Sequence, residues 1–252
     1  MDLKESLMEI SYCTTEERRK QIRRILARKR IFYRIERNEN AVNLMVGDPK
    51  NALVTICAHY DIVPGSCGAN DNGSSCAVLL HLCEERAGDP NVCFVFLDRE
   101  ESGFYGSTMH FSKYRPKLTI NLDVIGSGEY IVYHNSVMAG QKGSYLNRWL
   151  DKEAGSVGFH KADQLPMCDT HNIVRLGHEV ISFCAFPGKD GEYIRDTGHL
   201  SCGEVLKYMH NGCYDDIEHV CFTSMELVDM FLHNFLLSVS LESLTGVRAV
   251  SF

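Results

Sequence analysis

Ionisable side chains end three separate apolar runs in this sequence. His59-Tyr60-Asp61 follows Ala52–Ala58, Asp98-Arg99-Glu100-Glu101 follows Val92–Leu97, and Asp123 follows Leu118–Leu122. Between the first two runs lies Gly68-Ala69-Asn70-Asp71-Asn72-Gly73-Ser74-Ser75, which opens a helix. Charges gathered at one sheet edge repel one another and lose hydration unless a cation compensates them. A lone histidine after a strand is usually structural, but here that explanation must be repeated along one edge, and a shared cause is more economical. Histidine with several carboxylates and no thiolate suits a hydrolytic zinc, manganese or cobalt site, Zn²⁺ being the usual choice.

The elements that must position these groups follow from periodicity and punctuation. Thr14 and Glu17 form a capping-box pattern that predicts a helix from there to about Arg30. Ile31–Glu36 and Val42–Val46 read as strands separated by a polar turn. Ala52–Ala58, Val92–Leu97 and Leu118–Leu122 are continuous apolar runs, as expected of strands buried on both faces. Cys76–Cys83 lies in a helix that stops near Gly88-Asp89-Pro90. Ile131–Tyr133 and Val180–Cys184 are further strand candidates. Gly143–Ala154 and Ser224–Leu244 are helical candidates, the second packing a Leu/Met/Phe face on the sheet. Alternating strands and helices predict a three-layer α/β/α sandwich with a mostly parallel central sheet, and no linker or repeat divides residues 1–252. Such sheets bind ligands at the carboxyl ends of their strands, where the ionisable groups fall.

Composition narrows the partners. A chain of 252 residues with 44% hydrophobic and 23% charged content is an ordinary globular one. Its net charge of −7 argues against nucleic acid or an anionic membrane as partner. The basic run from Arg18-Arg19-Lys20 to Arg28-Lys29-Arg30 could be a nucleic-acid arm, but Ile22, Ile25 and Leu26 mark one apolar stripe within it, so it reads as a solvated helix face. Eleven cysteines, odd in number and without a C-x-x-C pair, fit a reducing compartment; Cys57, Cys93 and Cys184 sit in apolar runs as small hydrophobes do. With no signal-peptide pattern at the N-terminus and no apolar stretch long enough to span a bilayer, the expected location is the cytoplasm.

The strings His59-Tyr60-Asp61, Ala69-Asn70-Asp71-Asn72-Gly73-Ser74, Glu100-Glu101-Ser102-Gly103-Phe104-Tyr105-Gly106-Ser107 and Asn121-Leu122-Asp123 resemble the ordered motifs of zinc peptidases of the bacterial leucyl aminopeptidase type. That family also holds aminopeptidase Y, carboxypeptidase-like members and the glutaminyl cyclases. Motif order and strand placement match from about Ala52 to Gly126, with looser similarity over nearly the whole chain. The resemblance implies a zinc-aminopeptidase-like fold and a pair of Zn²⁺ ions, with Co²⁺ or Mn²⁺ as alternatives. It assigns His59 and Asp123 to one metal, Asp71 to the bridge, Glu101 to the second metal and Glu100 to the general base. Asp61 would hold the other N–H of the His59 imidazole. Two metals about 3.5–4 Å apart can share a hydroxide, which explains a bridging carboxylate and a base kept off the metals.

The last ligand implied is a late histidine. Tyr208-Met209-His210-Asn211-Gly212-Cys213-Tyr214-Asp215-Asp216 resembles the family's pattern of a histidine, a small polar residue and a downstream Asp. His210 is the expected ligand, with His219 and His199 as rivals. Asp169 or His171, in the polar segment before Gly177–Cys184, would line the substrate cleft, although a loop without contact to the metals fits equally well. The expected activity is removal of N-terminal amino acids from peptide substrates. Glutaminyl cyclisation on one zinc, carboxypeptidase or other amidohydrolase activity, and a catalytically silent binding domain are the alternatives. Oligomeric state has no signature in the sequence.

Overall fold

The computed structural model describes residues 2–137 and 142–245, the last five of these by backbone only. Its strands are β1 (Arg34–Arg37), β2 (Val42–Val46), β3 (Val54–His59), β4 (Val92–Leu97), β5 (Leu118–Leu122), β6 (Tyr130–Ser136), β7 (His160–Lys161) and β8 (Val180–Phe186). They form one mixed sheet in the order β1-β2-β4-β3-β5-β8-β6-β7. The central pairs β4–β3, β3–β5 and β5–β8 are parallel, as is β6–β7; β1–β2, β2–β4 and β6–β8 are antiparallel.

The helices are α1 (Leu3–Ile10), α2 (Thr15–Arg28), α3 (Ser75–Arg86), α4 (Tyr105–Phe111), α5 (Tyr145–Ser156), α6 (Asp169–Arg175), α7 (Gly188–Thr197) and α8 (Phe222–Thr245). Alternate residues of the central strands face opposite layers, as the two-residue repeat of a strand requires. Val54, Ile56, Ala58, Phe94 and Phe96 pack with α1, α2, α3, α5 and α8. Cys57, Cys93, Val95 and Leu97 pack with Phe111 of α4 and Ile173 of α6. This is the three-layer α/β/α sandwich. In α8, Met225, Val228, Leu232, Phe235, Leu236 and Val239 are buried at helical spacing, and Phe235 meets Trp149 of α5 at 5.2 Å.

The α2 capping box forms as the sequence predicts, with Glu17 N–H donating to Thr14 Oγ1 and Thr14 N–H to the Glu17 carboxylate. The following strand starts at Arg34, not Ile31, because the left-handed Arg30 (φ 58°) terminates α2 and Ile31 N–H turns back to the Leu26 carbonyl. Helices α1, α4, α6 and α7 and the two-residue β7 are not evident from periodicity; α1, α4 and α6 span eight residues or fewer, too few for a periodic signal. Arg18 also departs from the solvated-face reading. It is fully buried and donates to the carbonyls of Ile10 (2.7 Å), Tyr60 and Gly68, tying α2 to the loop that follows β3. Cys57, Cys93 and Cys184 are buried, and all eleven cysteines are free thiols. No helix among the described residues is long and apolar enough to cross a membrane.

Buried Glu36 on β1 accepts from Asn43 Nδ2 (3.1 Å) and Lys113 Nζ (2.9 Å) and lies 3.1 Å from His110 Nδ1. Burial alone would raise its pKa, but these partners outweigh it and lower the value from 4.5 to about 2. A folded-state pKa below the unfolded one gives stability that is complete above pH ~5 and lost as pH falls towards 2. Denaturant titrations across that window should lose on the order of 2–3 kcal/mol through this group, and Glu36→Gln should flatten that part of the profile.

Candidate metal centre

The strand order places the site. The chain passes from β3 outward to β4 through α3, then returns through α4 to β5 on the other side of β3. The order therefore reverses at β3, and a crevice opens outside its carboxyl end. His59 is the last residue of β3 and pairs with Leu97, the last of β4, while Asp123 directly follows β5 and donates its N–H to the Phe183 carbonyl at 3.0 Å.

Asp71 reaches the same crevice because the turn Ala69–Ser74 is not regular helix: Asp71 has φ −101° and ψ 92°. Two sets of bonds hold that turn. Asp215 accepts from the backbone N–H groups of Gly68 (3.0 Å), Asn70 (2.8 Å) and Asp71 (3.1 Å). The Asn72 amide spans the end of β5, donating to the Leu122 carbonyl (3.0 Å) and accepting from Val124 N–H (3.1 Å). Asp61 holds the loop after β4 through both oxygens, which accept from Glu100 N–H and Glu101 N–H at 3.0 Å each, and its Oδ1 lies 3.3 Å from His59 Nδ1.

The donor atoms fall into two groups around Asp71. His59 Nε2 is 3.4 Å from Asp71 Oδ1 and 3.5 Å from Asp123 Oδ1. His210 Nε2 is 3.4 Å from Glu101 Oε2 and 3.7 Å from Asp71 Oδ2. His59, Asp71 and Glu101 each present a ligand atom within 4.8 Å of the others. These separations are long for hydrogen bonds. The 3.4–3.5 Å separations lie close to the edges of a tetrahedron whose corners are ~2.0–2.1 Å from a zinc ion, about 3.3–3.4 Å, and the 3.7 Å one is wider. Buried Asp123 Oδ1 has no hydrogen-bond partner, which leaves a lone pair free for an ion. The residues therefore fit a divalent metal, with the two oxygens of Asp71 facing different imidazoles.

Electrostatics point the same way. Burial, aided by the charges of Asp169, Asp123 and Glu101, pushes the Glu100 carboxyl up to about 10. Burial and the neighbouring Asp71 and Asp61 push Glu101 up to about 8. Burial works to lower the His59 pKa, but Asp123, Asp61 and Asp71 outweigh it and raise it. This is an excess of negative charge in a desolvated crevice, the condition that divalent cations relieve.

The remaining expectations divide. Asp169 begins α6, is 99% buried with both oxygens unpartnered, and is pushed up to about 7 chiefly by burial, with Asp61 and Asp123 adding to it. His171 is exposed and accepts from Cys168 N–H at 3.3 Å, closing the first turn of α6. His219 stacks on Tyr214 and pairs with Asp216 at 2.8 Å, while His199 pairs with Asp163 at 2.7 Å on the surface. His210, 55% exposed at its side chain, turns towards Asp71 and Glu101, and its N–H donates to Asp71 Oδ2 at 2.9 Å. The supporting roles of Asp215 and Asn72 are not evident from the sequence; Asp215 and Asp216 both stand where the resemblance has its downstream Asp, and Asn72 is marked only by adjacency to Asp71.

The sequence profile of peptidase family M28 matches residues 40–197. The chain belongs to that family. Aminopeptidase YwaD of Bacillus subtilis (strain 168) is 35% identical to this M28 chain over 104 residues, 36% of the chain and 23% of YwaD. The chain thus spans about a quarter of that curated relative. Among solved structures, LapB from Legionella pneumophila superposes with a TM-score of 0.69 at 16% identity, covering 95% of this chain and 71% of LapB. A glutaminyl cyclase from an Acidobacteriales bacterium gives 0.64 at 18% identity, covering 93% and 92%. At such identities these two matches speak for the fold alone.

The rival histidines of this M28 chain separate experimentally. Should each donor group hold a zinc ion, His210→Ala would lower occupancy of one of them and cut peptide turnover by at least tenfold, because that group would keep carboxylates alone and lose its neutral nitrogen donor. His219→Ala should keep the metals and lower stability by about 1 kcal/mol, through loss of its Asp216 contact and Tyr214 stacking. Elemental analysis of the purified variants checks the first, thermal unfolding the second.

Proposed function

We propose that this chain is a metal-dependent aminopeptidase that hydrolyses the first peptide bond of its substrates at a two-zinc centre. The observation that carries the reading is the pair of donor groups sharing Asp71: His59 and Asp123 on one side, Glu101 and His210 on the other, at zinc-like separations. When bound, the metals would polarise the scissile carbonyl and acidify water. Glu100, held by its N–H on Asp61, is the general base: it takes the proton of the attacking water and returns it to the leaving amine. Asp61 fixes the Glu100-Glu101 backbone through two N–H bonds, and its Oδ1 lies 3.3 Å from His59 Nδ1.

The identity to an aminopeptidase supports the same reading. A second reading is glutaminyl cyclisation on one zinc, since a glutaminyl cyclase shares this fold over nearly the full length of both chains. One experiment separates them: zinc stoichiometry together with turnover of aminoacyl, N-blocked and N-terminal glutaminyl peptides. Two zinc ions with release of free amino acid from unblocked peptides alone supports the aminopeptidase. One zinc with ammonia release and a cyclised N-terminus supports the cyclase, and cleavage of N-blocked peptides would sink both.

A further inference from the structure

One buried polar side chain outside the metal cluster touches the segment that carries Glu100 and Glu101 at both ends. Asn43 is the second residue of the otherwise apolar strand Val42-Asn43-Leu44-Met45-Val46 and is fully buried. Its Oδ1 accepts from Asp98 N–H at 3.0 Å, while its Nδ2 donates to the Gly106 carbonyl at 2.9 Å. Asp98 and Gly106 are the two feet of the loop that holds Glu100 and Glu101, and they also bond directly, Gly106 N–H to Asp98 carbonyl at 2.8 Å. Position 106 admits only glycine here: a Cβ would sit 2.3 Å from the Asp98 carbonyl oxygen and 2.6 Å from Asn43 Oδ1. Between the feet the chain passes through left-handed Arg99 (φ 60°) and Phe104 (φ 62°), conformations that surrounding contacts must maintain.

The amide cannot turn over. Glu36, the cross-strand neighbour of Asn43, accepts the second Nδ2 hydrogen at 3.1 Å and is itself fixed by Lys113 and His110. A flipped Asn43 would set its oxygen against the Glu36 carboxylate and its amino group against Asp98 N–H. Burying an amide in an apolar strand has a cost that only complete hydrogen bonding offsets, and here every donor and the acceptor are used. An apolar residue would fill the position equally well for packing; only a planar donor–acceptor spans both feet.

We infer that Asn43 is a positioning residue for hydrolysis: it sets the width of the Asp98–Gly106 loop mouth and so the reach of Glu100 towards the water and of Glu101 towards its metal. Asp61 holds the tip of that loop by the Glu100 and Glu101 N–H groups, and Asn43 holds its base. The inference rests on the hydrolase reading above.

The test compares Asn43→Ala and Asn43→Asp with wild type, with Glu100→Gln as the chemical reference and Leu232→Ala, a buried α8 residue, as a control for lost stability. Each is measured with saturating Zn²⁺, per folded and metal-loaded chain. Both Asn43 variants should lose roughly 10–100-fold in kcat, with KM within about threefold, as expected of a misplaced base. Asn43→Asp should be no better than Asn43→Ala, since it keeps the acceptor but loses both donors. Leu232→Ala should lower the melting temperature and keep its kcat. Wild-type kcat in either folded Asn43 variant, or a kcat loss of the same size in Leu232→Ala, overturns the assignment. Should Asn43→Asp, which sets a carboxylate against Glu36, not fold, Asn43→Ala and the near-isosteric Asn43→Leu decide. Failure of the hydrolase reading is distinct: wild type would not turn over peptides, or Glu100→Gln would match it.

Discussion

Glu100→Gln is expected to keep its metal and lose about 10²–10⁴-fold in kcat. The change preserves the shape of the side chain and the N–H bond from residue 100 to Asp61, but removes the basic oxygen. Metal content should stay at the wild-type level because Glu100 is not among the donors whose separations match a zinc tetrahedron. Folding should not suffer either. With the metals absent, burial and nearby negative charge already push the Glu100 carboxyl up to about 10, so its ionised form is disfavoured and a neutral amide fits the same environment. Near-wild-type kcat at full metal occupancy would show that another group takes the proton, and the buried, unpartnered Asp169 is the first alternative to test.

Chelation should abolish activity, and added Zn²⁺ should restore it in wild type but not in Asp71→Asn. A bridging group must offer an anionic oxygen to each side, and the carboxamide keeps one oxygen only. The metal-free protein should also be less stable. Any ligand bound to the folded chain alone stabilises it by RT ln(1 + [L]/Kd), about 2.7 kcal/mol at a hundredfold excess over Kd. Binding must release protons, since Glu101 is pushed up to about 8 and the His59 pKa is raised, and both must deprotonate to act as donors. Zinc affinity should therefore rise with pH from 6 to 8, measurable by calorimetry in buffers of different ionisation enthalpy. Full activity after exhaustive chelation would remove metal hydrolysis from consideration.

The central strands were legible because burial on both faces forces continuous apolar runs: β4 and β5 match Val92–Leu97 and Leu118–Leu122 residue for residue. The strand-end residues were legible for the complementary reason, since an ionisable group interrupting such a run has an electrostatic cost that calls for a partner. The capping box of α2 was equally local and equally readable. What a one-dimensional pattern does not carry is contact between residues distant in the chain. Asp215 binds backbone at Gly68, Asn70 and Asp71, and Asn43 reaches Asp98 and Gly106, across separations that no local periodicity encodes. Arg18 belonged by pattern to a solvated basic helix, yet three carbonyls from other segments draw its guanidinium inside. The choice among late histidines was likewise tertiary: motif similarity favoured His210, but only the turn after Tyr208 brings its imidazole to Asp71 and Glu101, while His219 and His199 find carboxylates of their own. Sequence by itself determined the donor types and the strands that carry them, because side-chain chemistry and burial are local properties. The tertiary structure decided which donors meet and what holds them, because hydrogen bonds between distant segments exist only once the sheet has assembled.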